Sequence, residues 1–338
     1  MRLATWNIEW FTNLFDDRDE LRADDGPAGR EGVTRAAQAA AIAAVLARLD
    51  ADAVLITEAP DEGSRRRCTR ALEGFAARFG LRTRRALIGF PSETQQEIAF
   101  LYDPDRLRAV HDPQGDDRDP PRFDRQRKVP LMPGAAPHSV RFSRPPLELL
   151  VETAAGTYLR LIGVHLKSRA PHGARSPEDA LRRAAAARRT QVAQALWLRA
   201  RIEAHLAARE PLIVLGDLND GPLADALTDD DDLRPGVAIV TGADAAPPLR
   251  LHDPHARAAV AVPGGTDPAT ALFPDDGDGS PVRVLLDYIL VSRDLLPRAR
   301  RWRIWHPFDD PGCAADPALQ AALLAASDHF PVSLDIEV

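Results

Sequence analysis

Apolar residues in this chain come in short blocks, and several blocks end in polar residues of the same kind. Leu212 to Leu215 run straight into Gly216, Asp217, Leu218, Asn219, Asp220 and Gly221, the pattern of a buried strand closed by a tight turn. A strand covered on both faces cannot carry carboxylates along its length without a large desolvation cost, so Asp217 and Asn219 belong at its open carboxyl end. Other blocks repeat the arrangement. Arg2 to Ile8 reads as a first strand closed by Asn7 and Glu9, and Asp52 to Thr57 as a second with Glu58 just past its end. Tyr158 to Val164 leads into His165 and Lys167, and Asp328 and His329 stand directly before the last strand, Phe330 to Ile336. Further strands are expected at Ile98 to Tyr102, Leu147 to Glu152, Val284 to Val291 and Arg300 to Ile304, with Gly156 marking a hairpin.

Helical spacing separates these blocks. Thr34 can cap a helix from Arg35 to Leu49 whose Ile42, Val45, Leu46 and Leu49 share one face. Ser64 to Phe79 is expected to be helical, with Arg65, Arg66, Arg67 and Arg70 on its solvated side. Ser176, Pro177 and Asp179 form a start signature for a helix running to about Ala208, and a short helix is expected at Ala318 to Ala325. Residues 112–137 and 243–281 are rich in proline, glycine and charge and read as long surface connections, the second holding an acidic run at Asp275 to Asp278. Strands of both alternating and continuous apolar pattern, broken by a few long helices, predict an α/β protein of two sheets packed face to face with helices outside. No repeat period or boundary appears, so residues 1–338 are expected to form one domain.

Composition narrows the class. With 338 residues and 45% hydrophobic content a sizeable core is available, and disorder is excluded. A net charge of -7 means that any grip on a polyanion must come from a local basic patch, such as Arg125, Arg127 and Lys128, or from bound cations. Lys128 and Lys167 are the only lysines, which draws notice to Lys167 beside His165, although a strand-end lysine is as ordinary a reading. Cys68 and Cys313 have no metal or disulfide spacing and read as free thiols. The first ten residues lack a basic and then apolar leader. The apolar stretch Ala39 to Ala47 falls well short of the roughly 20 residues needed to span a bilayer. A cytoplasmic monomer without membrane insertion is the expectation.

The chemistry follows from what stands at the strand ends. Asp287 sits amid Leu285, Leu286, Tyr288 and Ile289, so it is expected to be buried and to need a partner. That partner is either a histidine, whose far nitrogen would then be a better base, or backbone groups at a bulge. Glu58, Asn7 and Asp328 offer hard oxygen ligands suited to magnesium or manganese, and no His/Cys cluster points to zinc. Phosphoester hydrolysis needs such an ion, an activated water and help for the leaving oxygen, and the inventory holds a residue for each role.

TWNIEWF at the start, Ile56 to Glu58, GVHLKS, VLGDLND, LLDYILVS and SDHFPV resemble, in order, the motif set of the endonuclease/exonuclease/phosphatase superfamily of DNase I-like enzymes. GDxN, DYI and SDHFP are its most specific parts, and the set spans Thr5 to Val332. The resemblance implies a four-layered α/β/β/α sandwich with its site at one end of the paired sheets. It makes Glu58 the main metal ligand with Asn7 near the metal or the phosphate, His329 the general base, and Asp287 its orienting partner. Asp217 and Asn219 would position the nucleophile or a second ion, the split of labour between Asp217 and His329 being left open, and His165 would stabilise the phosphate. Asp328 is then a metal ligand or a support, and Arg144 either lies near a backbone phosphate or is a structural arginine. Glu9, Trp10 and Phe11 depart from the pattern of abasic-site endonucleases, as does ITEAP after the second strand. The function implied is a metal-dependent phosphodiesterase, foremost a nuclease on DNA or RNA. A phosphatase or sphingomyelinase-like enzyme, and an inactive binding module, are the alternatives.

Overall fold

A computed structural model describes residues 1–115, 119–171, 173–221, 233–261, 268–274 and 281–338. The first eight strands are β1 (Arg2–Asn7), β2 (Ala53–Ala59), β3 (Arg85–Ile88), β4 (Glu97–Tyr102), β5 (Leu107–His111), β6 (Gln126–Val129), β7 (His138–Arg141) and β8 (Leu147–Thr153). They are followed by β9 (Tyr158–His165), β10 (Leu212–Asp217), β11 (Leu251–His252), β12 (Ala271–Phe273), β13 (Val282–Val284), β14 (Asp287–Ser292), β15 (Ala299–Ile304) and β16 (Val332–Ile336). The helices are α1 (Arg35–Leu49), α2 (Cys68–Phe79), α3 (Pro177–Ala207), α4 (Gly236–Thr241), α5 (Pro254–Ala261), α6 (Pro311–Ala314) and α7 (Pro317–Ala326).

Two six-stranded mixed sheets result, ordered β15-β16-β1-β2-β4-β3 and β11-β14-β10-β9-β8-β5. In each, one central pair is parallel, β1 with β2 and β9 with β10, and the remaining neighbours are antiparallel. Alternation along the strands sorts the apolar side chains into three cores. Ala4, Trp6, Val54 and Ile56 face α1, α2 and α7, while Ile162, Val164, Leu212 and Val214 face α3 and α4. Leu3, Leu55, Leu161, Ile213, Leu215 and Ile289 lie between the sheets. Three cores separate four layers, the α/β/β/α sandwich expected from sequence. The sheets approach closely at Gly163, where a Cβ would stand 2.4 Å from Leu55 Cδ1, so any larger residue there would force Leu55 to move.

Thr34 caps α1 through the Ala37 N–H, and Ser176 caps α3 through the Asp179 N–H, as the start signatures predict. Besides short elements that the sequence did not predict, such as β3, β5, α5 and β12, the structure departs from the sequence expectation in four places with a local cause. First, α2 begins at Cys68 rather than Ser64, because Arg66 and Arg70 are drawn off to Asp17 and Asp19 and the Arg67 N–H is held by Asp19. A run of cations also suits a helix N-terminus poorly. Second, Glu58 lies inside β2 and not beyond it, at a bulge where the register against β4 shifts. Third, the apolar run from Val284 to Val291 is broken between β13 and β14, where Thr270 Oγ1 accepts the Leu286 and Asp287 N–H groups at 2.9 and 3.0 Å. Fourth, the connection 112–137 contains β6, paired with β7 as a hairpin, in which Arg127 is engaged by Asp119. The acidic run 275–278 lies outside the described residues. No described helix is long and apolar enough to cross a membrane.

Candidate active site

The alternation that builds the core between the sheets also delivers the polar groups. Counting along that face, Leu3 and Thr5 lead to Asn7, Leu161 and Gly163 to His165, and Ile213 and Leu215 to Asp217. Asp287 occupies the same face two residues before Ile289. Register aligns them, since Asp217 stands opposite Asp287 on one side and opposite His165 on the other. The apolar core therefore gives out into a row of polar side chains at one end of both sheets.

Asp217 is the hub. Its Oδ1 accepts the Asn219 N–H at 2.7 Å, and its Oδ2 accepts Asn7 Nδ2 at 3.0 Å and Asn219 Nδ2 at 3.2 Å. Asn7 Nδ2 also lies 3.5 Å from Glu58 Oε1, and Glu58 Oε2 accepts the Trp10 N–H at 3.0 Å. His165 Nε2 is 3.4 Å from Asp217 Oδ2, and His329 Nδ1 is 2.8 Å from Asp287 Oδ2. The buried Asp287 thus has a histidine for its partner. Trp6 Nε1 donates to the His329 carbonyl at 2.9 Å, and Ser327 Oγ donates to the Asn7 carbonyl at 2.8 Å while accepting the His329 N–H at 3.1 Å.

These groups open onto one cleft of about 830 Å³, lined by Asn7, Glu58, Arg144, His165, Lys167, Asp217, Asn219, Asp328 and His329, with Asp287 behind His329. All ten residues singled out from sequence are therefore brought together. Arg144 lines the cleft, and its guanidinium is held structurally, donating to Gln96 Oε1 at 2.7 Å and the Leu166 carbonyl at 3.0 Å. The cations of 125–128 do not line the cleft.

Burial sets the electrostatics. His165 is pushed well below its ordinary value, first by burial and then by the Arg144 charge, so its imidazole is neutral. Burial would do the same to His329, but the charge and hydrogen bond of Asp287, with Asp217 and Asp328, outweigh it and raise His329 to about 10. Asp217 is pushed up to about 7 by burial and by Asp287, and Glu9 to about 7 by burial and by Asp328. Burial and then Arg144 lower Lys167.

The donor set fits a hard divalent cation. Asn7 Oδ1 is buried without a hydrogen-bond partner while its Nδ2 is in use, and it sits beside the Glu58 carboxylate. Asp217 and Glu9 are raised first by burial and then by the neighbouring carboxylates Asp287 and Asp328, and a cation would relieve the second of these effects. Asp217, Asp287 and His329 also come within 4.8 Å of one another, but the hydrogen bond between the last two already satisfies the imidazole nitrogen.

The sequence matches the Endonuclease/Exonuclease/phosphatase family over residues 4–329. The chain belongs to that family. As a family member it is a phosphoester-cleaving enzyme. No curated protein matches it. Among solved structures it is similar to a 3'-5' exonuclease of Neisseria meningitidis, with a TM-score of 0.51 and 14% identity over 100% of both chains. It is also similar to an AP endonuclease of Archaeoglobus fulgidus, with a TM-score of 0.50 and 11% identity over 100% of both chains. The human Nocturnin catalytic domain has a TM-score of 0.50 and 14% identity over 100% of this chain and 94% of that one. At such identities the likeness shows the fold of this family member and no more.

Sequence reading missed the scaffold behind the site. Gln191 Nε2 of α3 donates to the carbonyls of Lys167 at 3.0 Å and Asn219 at 2.6 Å, and Gln194 Oε1 accepts the Lys167 N–H at 2.9 Å. Both glutamines are buried, and Gln191 and Gln194 share the helix face of Ala195 and Leu198. Polar residues on an apolar stripe were the available signal. Asp220, expected only as turn polarity, is fully buried against Arg169 and Arg188, and accepts the Val237 N–H at 3.1 Å.

Proposed function

We propose that this chain is a metal-dependent phosphodiesterase that cleaves nucleic acid by activated-water attack. The observation that carries this reading is the buried Asp287–His329 pair set beside Asp217, Asn7 and Glu58 at the mouth of one cleft. Magnesium or manganese would be held by Glu58 and Asn7, with Asp328 as further ligand or support. When bound, such an ion offsets charge on the phosphate oxygens and on the leaving oxygen.

The chain's own residues do the rest. Asp287 holds the Nδ1 proton of His329 and so orients the ring. Because Asp287, Asp217 and Asp328 raise His329 to about 10, its Nε2 serves as the base for water only where a bound cation would offset that negative charge and let Nε2 shed its proton. Asp217, fixed by Asn7 and Asn219, orients that water. His165, neutral through burial, donates an N–H to the phosphate, and Arg144 and Lys167 supply positive charge on the same side. Three cationic side chains lining the cleft, Arg144, Lys167 and Arg169, and a fold shared with proteins named as an exonuclease and an AP endonuclease, favour a polynucleotide over a small phosphate. The same reading takes residues 1–338 as one domain, supported by the pairing of β1 with β16, and as a cytoplasmic protein, supported by the buried free Cys68 and Cys313.

The test is incubation of wild type and His329→Ala with supercoiled plasmid, linear DNA and single-stranded RNA, each with magnesium, manganese or chelator. Metal-dependent cleavage lost in the variant is expected, and nicking of the closed circle identifies internal attack. A folded wild type inert on every polynucleotide overturns the nuclease reading, and hydrolysis of inositol phosphates, phosphomonoesters or sphingomyelin would then identify the alternative.

A further inference from the structure

Trp10 and Phe11 are neighbours of similar character that the fold treats in opposite ways. Phe11 is fully buried, edge-on to Phe75 with ring centroids 5.1 Å apart. Trp10 is turned out at 42% exposure and lines the cleft. Of the other tryptophans, Trp6, Trp197 and Trp305 are buried and Trp302 is half-buried.

Holding the indole there is costly. Trp10 adopts φ 49 and ψ 44, the left-handed region that bulky residues avoid. Packing demands a further concession at Gly29, where a Cβ would stand 2.5 Å from Trp10 Cβ. Left-handed backbone at non-glycine residues recurs in this cleft, at Glu58 with φ 57 and Asn219 with φ 49. Strain of this kind persists where the surrounding structure enforces it, and it gathers at ligand clamps and active sites.

The placement of the ring says what it is for. The backbone N–H of Trp10 donates to Glu58 Oε2, so the main chain that carries the indole is anchored to the carboxylate that the proposed ion would use. Trp10 follows β1 of one sheet, whereas Arg144, just before β8, and Lys167, just after β9, stand at the strand ends of the other sheet. A phosphate seated between Asn7 and His165 would therefore have cations from one sheet and an exposed indole from the other in the same cleft. A flat, sequence-tolerant π-surface next to a phosphate site is the device by which proteins hold unpaired bases.

We infer that Trp10 is a stacking platform for an unpaired nucleobase adjacent to the scissile phosphate, which makes single-stranded nucleic acid, or a frayed end, the substrate class of this site. The inference rests on the nuclease reading above and narrows it.

The experiment compares wild type, Trp10→Ala, Trp10→Phe and Trp10→Gly on a short oligothymidylate and on the same sugar-phosphate backbone built of baseless tetrahydrofuran units. Glycine keeps the backbone conformation without strain and serves if the alanine variant fails to fold. Loss of the ring is expected to raise KM for oligothymidylate roughly tenfold with a much smaller change in kcat, and phenylalanine to restore most of it. KM for the baseless backbone is expected to differ little between wild type and variants. In chelator, where cleavage stops, oligothymidylate should quench the tryptophan emission of wild type and not of Trp10→Phe. Equal KM values for wild type and both ring-deleted variants on oligothymidylate overturn the inference and leave the nuclease reading standing, as does equal weakening on the baseless backbone. A wild type that cleaves no polynucleotide but hydrolyses small phosphoesters overturns both.

Discussion

Asp217 and Asp287 face each other across one register pair of β10 and β14, yet their surroundings give them different tasks. Asp287 is committed to His329, whereas Asp217 collects donors from Asn7 and Asn219 and is pushed up to about 7 by burial and by Asp287. If Asp287 acts by orienting the imidazole, Asp287→Asn should lower kcat by roughly 10² to 10⁴, as His329→Ala should, and the double variant should be little worse than His329→Ala alone. Additive losses in the double variant would show that the two do not work as a unit. The cation assignment has its own check at Glu58. Magnesium should raise the melting temperature of the wild type by mass action and leave that of Glu58→Gln nearly unchanged, as followed by differential scanning fluorimetry in magnesium against chelator. At this scale the sequence was legible wherever a polar residue broke an apolar strand, which is why His165, Asp217, Asp287 and His329 stood out. It was silent on Trp10, because nothing in a Trp-Phe pair says which ring turns inward, and on Ser327, whose hydroxyl ties Asn7 to His329 across 320 residues.

Helix α3 shows what an element adds. It is 31 residues long, begins at the Ser176 cap, and covers the second sheet with Val192, Leu198 and Ile202 while presenting Gln191 and Gln194 to the loops that carry Lys167 and Asn219. The same face buries Arg201, whose guanidinium lies 3.1 Å from Glu148 Oε1 of β8 with both side chains almost wholly out of water. Burial pushes Glu148 up to about 7 and lowers Arg201, so each resists charging and depends on the other. Arg201→Met should cost about 3–5 kcal/mol by leaving a buried carboxylate alone, and Arg201→Met with Glu148→Leu should recover much of it, as read from urea unfolding. A double variant as unstable as the single one would refute this. Caps and periodicity made α1, α3 and α7 readable in advance. The start of α2 was not, since it depends on Asp17 and Asp19 from a distant loop. The β3 and β5 strands were missed because four or five residues of mixed pattern, such as Leu107 to His111, acquire their identity only from the neighbour they pair with.

The molecule as a whole carries buried carboxylates that titrate late. Glu97 and Glu148 are both raised to about 7 by burial, against an ordinary value of 4.5. Between those limits the folded chain keeps protons that the unfolded chain has released, so their contribution to stability is full at the acid end and is lost as pH rises toward 7. Urea midpoints measured at pH 5.5 and 7.5 should therefore differ less in Glu97→Gln than in wild type, and an unchanged difference would exclude Glu97 as a source. The layered fold was legible because three separate apolar faces were written into the strand alternation, while the hairpin of β6 and β7 and the break before Asp287 needed tertiary partners. One consequence concerns synthesis. The site takes Asn7 from β1 and His329 from just before β16, and these two strands are hydrogen-bonded neighbours. During synthesis Asn7 is made long before its partners, and the strand that flanks β1, with the proposed base His329 ahead of it, follows only after more than 320 further residues. If His329 is the proposed base, a product that ends short of it has no means of activating water, and truncation before residue 329 should abolish cleavage even where the first sheet still forms.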